Sequence, residues 1–241
     1  MTMALVISIQ VGLPQSLGIE GACEPMERPW TTGFFKKPIQ GVIWLGFTNI
    51  SGDGQADLKN HGGADKAILA YAAEHYPLWQ ETLNLPIFSY GAFGENLMIA
   101  GQNESSVYLG DIYDLGEAQI QVSQPRQPCW KLSRRWRIKD LALQVQNNGK
   151  TGWYFRVLKE GNIEPNLPLI LRDRPCPQWS IARANQIMHH ELENRQAAAE
   201  LSVLPSLSKM LCSSFHLIPN FIFIAIFLFV EFVTAIEQLK P

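Results

Sequence analysis

From Ala4 to about Arg174, glycine, proline and Asn/Asp residues interrupt the chain so often that its apolar stretches stay short. Such punctuation favours strands joined by turns, as in a barrel or a sandwich, over repeated βαβ units. The segment Ala118–Gln124 shows the pattern best. Ala118, Ile120 and Val122 alternate there with Gln119, Gln121 and Ser123, so one face packs inward and the other meets water or a ligand. Further strands are expected at Ala4–Val11, Gly41–Asn49, Val107–Asp114, Trp153–Lys159 and Leu167–Arg172. Two helices interrupt them: Glu74–Leu85, with Tyr76, Trp79 and Leu83 at helical spacing, and Ile138–Gln146, with Ile138, Leu141, Ala142 and Val145 on one face. The expected class is mainly β, of α+β type.

Beyond the proline-rich stretch RPCPQ, residues 174–178, the periodicity becomes helical. Ser180 is a suitable N-cap, and Ile181, Ala184, Ile187 and Met188 form an apolar stripe. A second helix is expected around Arg195–Leu204, ending before Pro205. The chain thus divides into a strand-rich domain at 1–174, the start of a small, incomplete helical subdomain at 175–209, and a hydrophobic tail at 210–241. That tail holds six of the twelve phenylalanines but only three charged side chains, Glu231, Glu237 and Lys240. Its ten uninterrupted apolar residues, Phe221–Val230, fall short of the roughly 18–20 needed to cross a bilayer. Tolerating Pro219, Asn220 and Glu231 stretches the run to about twenty-two. A tail replaced or translated out of frame is the favoured explanation; a marginal membrane anchor and a buried helix stay open beside it.

The chain's 46% hydrophobic and 17% charged content over 241 residues excludes a disordered protein, and a formal net charge of −2 gives no global pull on nucleic acid. Cys23, Cys129, Cys176 and Cys212 stand far apart, which argues against a structural zinc site or an iron–sulfur cluster and fits a reducing compartment. The first fifteen residues, MTMALVISIQVGLPQ, show neither a basic leader nor a cleavage pattern, so a cytoplasmic protein is expected.

Four stretches carry chemistry. Around Cys129 the chain reads QPRQPCWKLSRRWR, residues 124–137, with two prolines stiffening the turn. Arg126, Lys131, Arg134, Arg135, Arg137 and Lys139 surround the thiol in sequence, and neighbouring positive charge favours the thiolate, a nucleophile or soft metal ligand. The string HGGADK, residues 61–66, follows a glycine-bearing loop where backbone amides approach an anion closely, with His61 and Lys66 adding hydrogen bonds and charge. GAFGEN, residues 91–96, places Glu95 and Asn96 to bond a polar heterocycle, and GKTGW, residues 149–153, is a fourth polar cluster. Taken singly, each of these reads equally as a connection between strands.

In order along the chain, HGGADKA, FGEN, the GD of Leu109-Gly-Asp111, QPRQPC and TGW match the strings of MOSC domains, named after the C-terminal domain of molybdenum-cofactor sulfurases. The resemblance spans about Val6 to Arg172, and the stretch after Ser180 is similar to the three-helix appendage of the YiiM-like branch. It implies a mixed β-barrel with flanking helices that binds a pterin-based molybdenum cofactor, molybdopterin. Cys129 matches the cysteine that ligates the metal, and Arg126 the arginine of the same motif. His61, Gly62, Gly63, Lys66, Gly94, Asn96 and Gly152 would line the cofactor site. The activity implied is reduction of N-hydroxylated small molecules such as hydroxylaminopurines, with His61 or Glu95 as proton donor. The sequence contains no dinucleotide, flavin or iron–sulfur motif, so a separate NAD(P)H-dependent flavoprotein reductase is the expected electron source. The alternative is a sulfur-carrying or cofactor-binding module without reductase activity.

Overall fold

The computed structural model describes residues 3–85, 88–208 and 211–212, so the expectations for most of the tail lie outside the described residues. Strands β1 (Leu5–Val11), β2 (Gln15–Leu17), β3 (Trp30–Thr32), β4 (Lys37–Pro38) and β5 (Ile43–Leu45) precede a short helix, α1 (Leu58–His61). Next come β6 (Ile68–Ala72), α2 (Tyr76–Leu83), β7 (Leu97–Ala100), β8 (Ile112–Leu115) and β9 (Ala118–Pro125). Helices α3 (Trp130–Trp136) and α4 (Leu141–Asn147) lead to β10 (Trp153–Lys159), β11 (Gly161–Ile163), β12 (Leu167–Pro168) and β13 (Ile170–Asp173). The helices α5 (Ile181–His189) and α6 (Arg195–Ser202) follow.

The main sheet runs β12-β1-β7-β6-β10-β9-β8-β13, with β4 also paired to β1. It is mixed, because β6 and β7 pair in parallel while the other neighbours are antiparallel. Its two end strands, β12 and β13, are separated in the chain by Leu169 alone, yet one pairs with β1 and the other with β8. One residue spans only about 3.5 Å, so the sheet has to curl until its ends nearly meet. The result is a half-barrel with flanking helices, as the resemblance implied. Leu169 itself is buried, and its N–H donates to the Ala4 carbonyl at 2.9 Å, tying the two ends together.

The alternation in β9 resolves as expected: Ala118, Ile120 and Val122 lie in the main hydrophobic cluster with Val6, Ile9, Ile68 and Phe155. On the opposite face the Ser123 hydroxyl donates to the Asp65 carbonyl at 2.6 Å, anchoring the turn that follows α1. Other boundaries shrink for local reasons. The expected strand Val107–Asp114 survives only from Ile112, because Gly110 takes a positive φ of 83° and the Asp111 carboxylate folds back onto the Tyr108 N–H. Gly41–Asn49 is reduced to Ile43–Leu45 by the turn in which Gly46 N–H bonds the Asn49 carbonyl. The helix expected from Glu74 opens as a 3₁₀ turn, Ala73–His75, and stops at Asn84, whose left-handed φ of 48° caps it.

Ser180 caps α5 through a 3.1 Å bond from the Arg183 N–H, and the stripe Ile181, Ala184, Ile187 and Met188 is buried. That stripe, together with Ala198 and Leu201 of α6, packs in the same cluster as the strands. The helical segment therefore shares the barrel's core rather than building its own. No helix among the described residues is long and apolar enough to cross a membrane.

Candidate functional site

One open cleft gathers the residues that carry chemistry. It holds about 590 Å³ of empty space including its mouth, and its walls come from four turns, at 33–36, 54–66, 93–96 and 126–131, with Leu69 and Tyr154 added from β6 and β10. Each turn begins or ends where the sheet releases the chain. Cys129 illustrates the point: Pro125 ends β9, and four residues later the Cys129 carbonyl accepts the Leu132 N–H that starts α3. The residue is 4% exposed and lines the cleft.

Of the residues singled out from sequence, His61, Lys66, Gly94, Asn96, Arg126 and Cys129 all line this cleft. His61 ends α1, a single turn capped by Asp57, which accepts the Lys59 and Asn60 N–H groups at 3.0 and 3.1 Å. Burial alone would raise the Asp57 pKa, but hydrogen bonds from Asn60 and Lys59 and the neighbouring His61 hold it below the ordinary carboxylate value. Asn96 stitches three segments together: its Oδ1 accepts from Leu69 N–H at 3.1 Å, while Nδ2 donates to Gln10 O at 3.2 Å and Asp53 Oδ2 at 2.9 Å. Arg126 is 2% exposed. Its backbone N–H bonds the Gly152 carbonyl at 3.0 Å and its Nη2 the Phe93 carbonyl at 3.0 Å.

Four of the singled-out residues are not part of the lining. Glu95 is fully buried and not among the lining residues; its carboxylate accepts from the Tyr76 hydroxyl and from the N–H groups of Gly91 and Phe93. Held by three donors, Glu95 shapes the 91–94 turn and is not part of the cleft's lining. Gly152 takes a φ of 78°, and a Cβ on it would run into the Ala70 carbonyl, so it is a backbone joint rather than a lining residue. Gly62 and Gly63 form the bend between α1 and the 3₁₀ turn Ala64–Lys66, with Gly63 at a φ of 90°.

The cluster of six cations around the thiol is also corrected. Arg134 reaches the Arg28 carbonyl and packs against Trp30 and Trp130, and Arg135 Nη1 donates to the Phe34 carbonyl at 2.7 Å with its guanidinium 4.4 Å from the Phe35 ring centre. Arg137 pairs with Glu27. These three side chains pin the 27–36 segment across α3. Of the six, only Arg126 and Lys131 line the cleft. The positive charge is restored from elsewhere by Lys66 and by Lys36, which sequence reasoning missed. Lys36 is paired to Asp53, both side chains nearly inaccessible; burial lowers its pKa, with Asp53 opposing the shift. Phe34, Phe93 and Tyr154, likewise missed, supply flat aromatic surface. Arg126 sits 5.9 Å from the Phe34 ring centre and Lys66 5.7 Å from that of Tyr154.

A family model described as the MOSC domain matches residues 57–169, and one described as a YiiM-like 3-alpha helix domain matches 179–211. A Bacillus subtilis (strain 168) protein named YflK is 44% identical over 210 residues, covering 87% of this chain and 92% of that protein. The chain belongs to the MOSC domain family. Its similarity to the YiiM-like branch extends to solved structures. The crystal structure of YiiM from Geobacillus stearothermophilus is 40% identical, with a TM-score of 0.74 over 89% of this chain and 98% of that one. YiiM from Escherichia coli gives 30% identity and a TM-score of 0.72 over 89% and 92%. A Gibberella moniliformis protein named Reductase is 34% identical over 179 residues, which are 73% of this chain but 32% of that longer protein.

MOSC domains are associated with a molybdenum cofactor, and the cleft can be tested for its fit. Among its lining residues, Lys66, Arg126 and Lys131 outnumber the one carboxylate, Asp57, while Lys36 is already paired to Asp53, so an anionic ligand is favoured. Arg126 Nη1 is buried with no hydrogen-bond partner among the described residues, a donor left for a ligand to satisfy. No group of three or more potential metal-ligating side chains occurs among the described residues. A metal here therefore has to bring most of its own ligands, as a dithiolene-held metal does, with one soft thiolate from the protein. The residues fit the group.

Proposed function

We propose that this protein reduces N-hydroxylated compounds, hydroxylaminopurines among them, using a molybdenum cofactor bound in the cleft. The meeting of a buried thiol, Cys129, with the unpartnered Nη1 of Arg126 on a cationic wall carries the reading. When bound, the cofactor supplies a sulfur-ligated metal that passes electrons in pairs. Cys129 provides the soft sulfur ligand suited to such a metal. Arg126 and Lys66 hold the anionic phosphate end through charge-assisted hydrogen bonds. Phe34, Phe93 and Leu69 give the cleft an apolar side.

The overall change is R–NHOH + 2 e⁻ + 2 H⁺ → R–NH₂ + H₂O. We assign the proton on the departing hydroxyl to His61, which lines the cleft. Electrons come from a separate flavoprotein reductase, a reading supported by the relative named Reductase, only part of whose length matches this chain. A reducing cytoplasm suits the four cysteines, which stand far apart in the chain.

The test is a Cys129→Ser variant carrying cofactor and assayed on a hydroxylaminopurine with a reductase supplied. Turnover is expected to fall at least as far as the roughly 100-fold reached when outer-shell partners of metal sites are changed. Unchanged turnover overturns the reading. An added sulfur mass on Cys129 in a metal-free protein would favour the sulfur-carrier alternative instead.

A further inference from the structure

Behind the Arg126 wall, a chain of buried hydrogen bonds runs from the helical segment to the cleft. The Asn185 side chain of α5 is 2% exposed, and its Nδ2 donates to Thr151 Oγ1 at 2.9 Å and to the Gly149 carbonyl at 3.2 Å. Thr151, fully buried, sits next to Gly152. The Gly152 N–H donates to Glu104 Oε1 at 2.8 Å, and the Gly152 carbonyl accepts the Arg126 N–H at 3.0 Å. Glu104 in turn is held from two sides: His75 Nε2 lies 2.6 Å from its Oε2, and the Ala182 N–H of α5 bonds its backbone carbonyl at 2.7 Å. The first turns of α5 thus hold both supports of the Thr151–Gly152 joint.

We propose that α5 serves the cleft as well as the core: Asn185 and Glu104 are positioning residues that fix the Thr151–Gly152 joint and, through it, the aim of Arg126. Three features point this way. Glycine alone fits position 152, so its peptide planes are set by what bonds them rather than by packing of a side chain. Asn185, Thr151, Gly152, Glu104 and Arg126 are all buried, where a hydrogen bond left unmade is costly and geometry is tightly held. Arg126, at the end of the path, has its Nη2 spent on Phe93, so where its unpartnered Nη1 points depends on where its backbone sits. Outer partners that orient a ligand-holding group act in this manner.

The inference rests on the cofactor reading above, and the experiment separates the two. Wild type, Arg126→Ala, Thr151→Val, Thr151→Ser and Asn185→Ala are expressed in a cofactor-competent host, and molybdenum and oxidised pterin are measured per folded chain. Normalising to folded chain removes a purely structural loss, and the Thr151 pair separates the hydroxyl from side-chain volume. Expected are a large loss in Arg126→Ala, a loss of about tenfold in Thr151→Val and Asn185→Ala, and near wild-type content in Thr151→Ser. Loss in Arg126→Ala with wild-type content in Thr151→Val and Asn185→Ala overturns the positioning role alone. Wild-type content in Arg126→Ala overturns the anchoring role of Arg126 and this inference with it. Should Thr151→Val fail to fold, Asn185→Ala against Thr151→Ser decides the matter.

Discussion

Two hydrophobic clusters hold this protein together, and they are built from different materials. The larger fills the curled sheet and continues beneath α5 and α6; it is mostly aliphatic, with Val6, Ile9, Ile68, Leu97, Ile99, Ile120 and Val122 among its members. The smaller lies under the cleft and is aromatic: Tyr71, Tyr76, Trp79, Phe88 and Phe93. Its rings carry polar handles that are all engaged. Trp79 Nε1 donates to the Tyr71 hydroxyl at 2.7 Å, which donates to the Lys150 carbonyl at 2.8 Å, and Tyr71 stacks on Phe93 at 4.3 Å between ring centres. Burial of aliphatic area is strong but non-directional, whereas stacked and hydrogen-bonded rings fix angles as well as distances. The first cluster keeps the chain folded; the second aims the turns that line the cleft.

The contrast is sharpened by changes confined to one cluster. Ile120→Ala empties the aliphatic core at a fully buried position, and a cost of about 2–5 kcal/mol is expected. Denaturant midpoints with an unchanged slope measure it, and the folded protein should keep its cofactor content. A cost under about 1 kcal/mol would mean that this cluster does not carry the fold. The next effect is a pH response from the same side of the molecule. His189 of α5 is half-buried, with both ring nitrogens inaccessible and neither partnered among the described residues, and desolvation, with His190 adding to it, lowers its pKa to about 4. The folded state resists protonation while the unfolded chain binds a proton below its ordinary value of 6.5. Stability is therefore full above pH 6.5 and falls as pH drops from 6.5 toward 4, by up to about 3 kcal/mol. In His189→Phe the same titration should flatten over that window; an equally steep fall would assign it to other groups.

What the sequence disclosed follows the same division. Strands β9 and β10 were legible because Ala118, Ile120 and Val122 alternate with polar residues, a period only a half-buried strand needs. Strands β6 and β7 were not, since all five residues from Ile68 to Ala72 are buried on both faces and the pair is parallel, leaving no alternation to read. Helix α3 was hidden by its own charges: Arg134 and Arg135 look like a solvated run, yet their guanidinium groups hold the 28–36 segment. At the cleft, His61, Lys66, Asn96, Arg126 and Cys129 stood out because glycine or proline marks the turns that carry them. Lys36 lies in a segment with no motif, seventeen residues before Asp53 of the glycine-bearing loop, and only the folded chain brings them together.

The smallest effect tests whether the aromatic cluster works by direction rather than by area. Tyr76 donates its hydroxyl hydrogen to Glu95 and accepts the Ala92 N–H at 3.1 Å, so one oxygen braces the turn from both sides. Burial, reinforced by the Glu95 charge, raises the Tyr76 pKa well above its ordinary value, which keeps this donor protonated. Tyr76→Phe removes that oxygen and almost no area. Glu95 keeps its backbone donors at Gly91 and Phe93, while the Ala92 N–H loses its acceptor, so the stability cost is expected near 1.5 kcal/mol. Because Gly94 and Asn96 flank Glu95 and line the cleft, cofactor content per folded chain should fall severalfold, the reverse of the pattern expected for Ile120→Ala. Wild-type content in Tyr76→Phe would show that ring area alone, without the hydroxyl, sets the turn, and the distinction between the two clusters would lose its functional half.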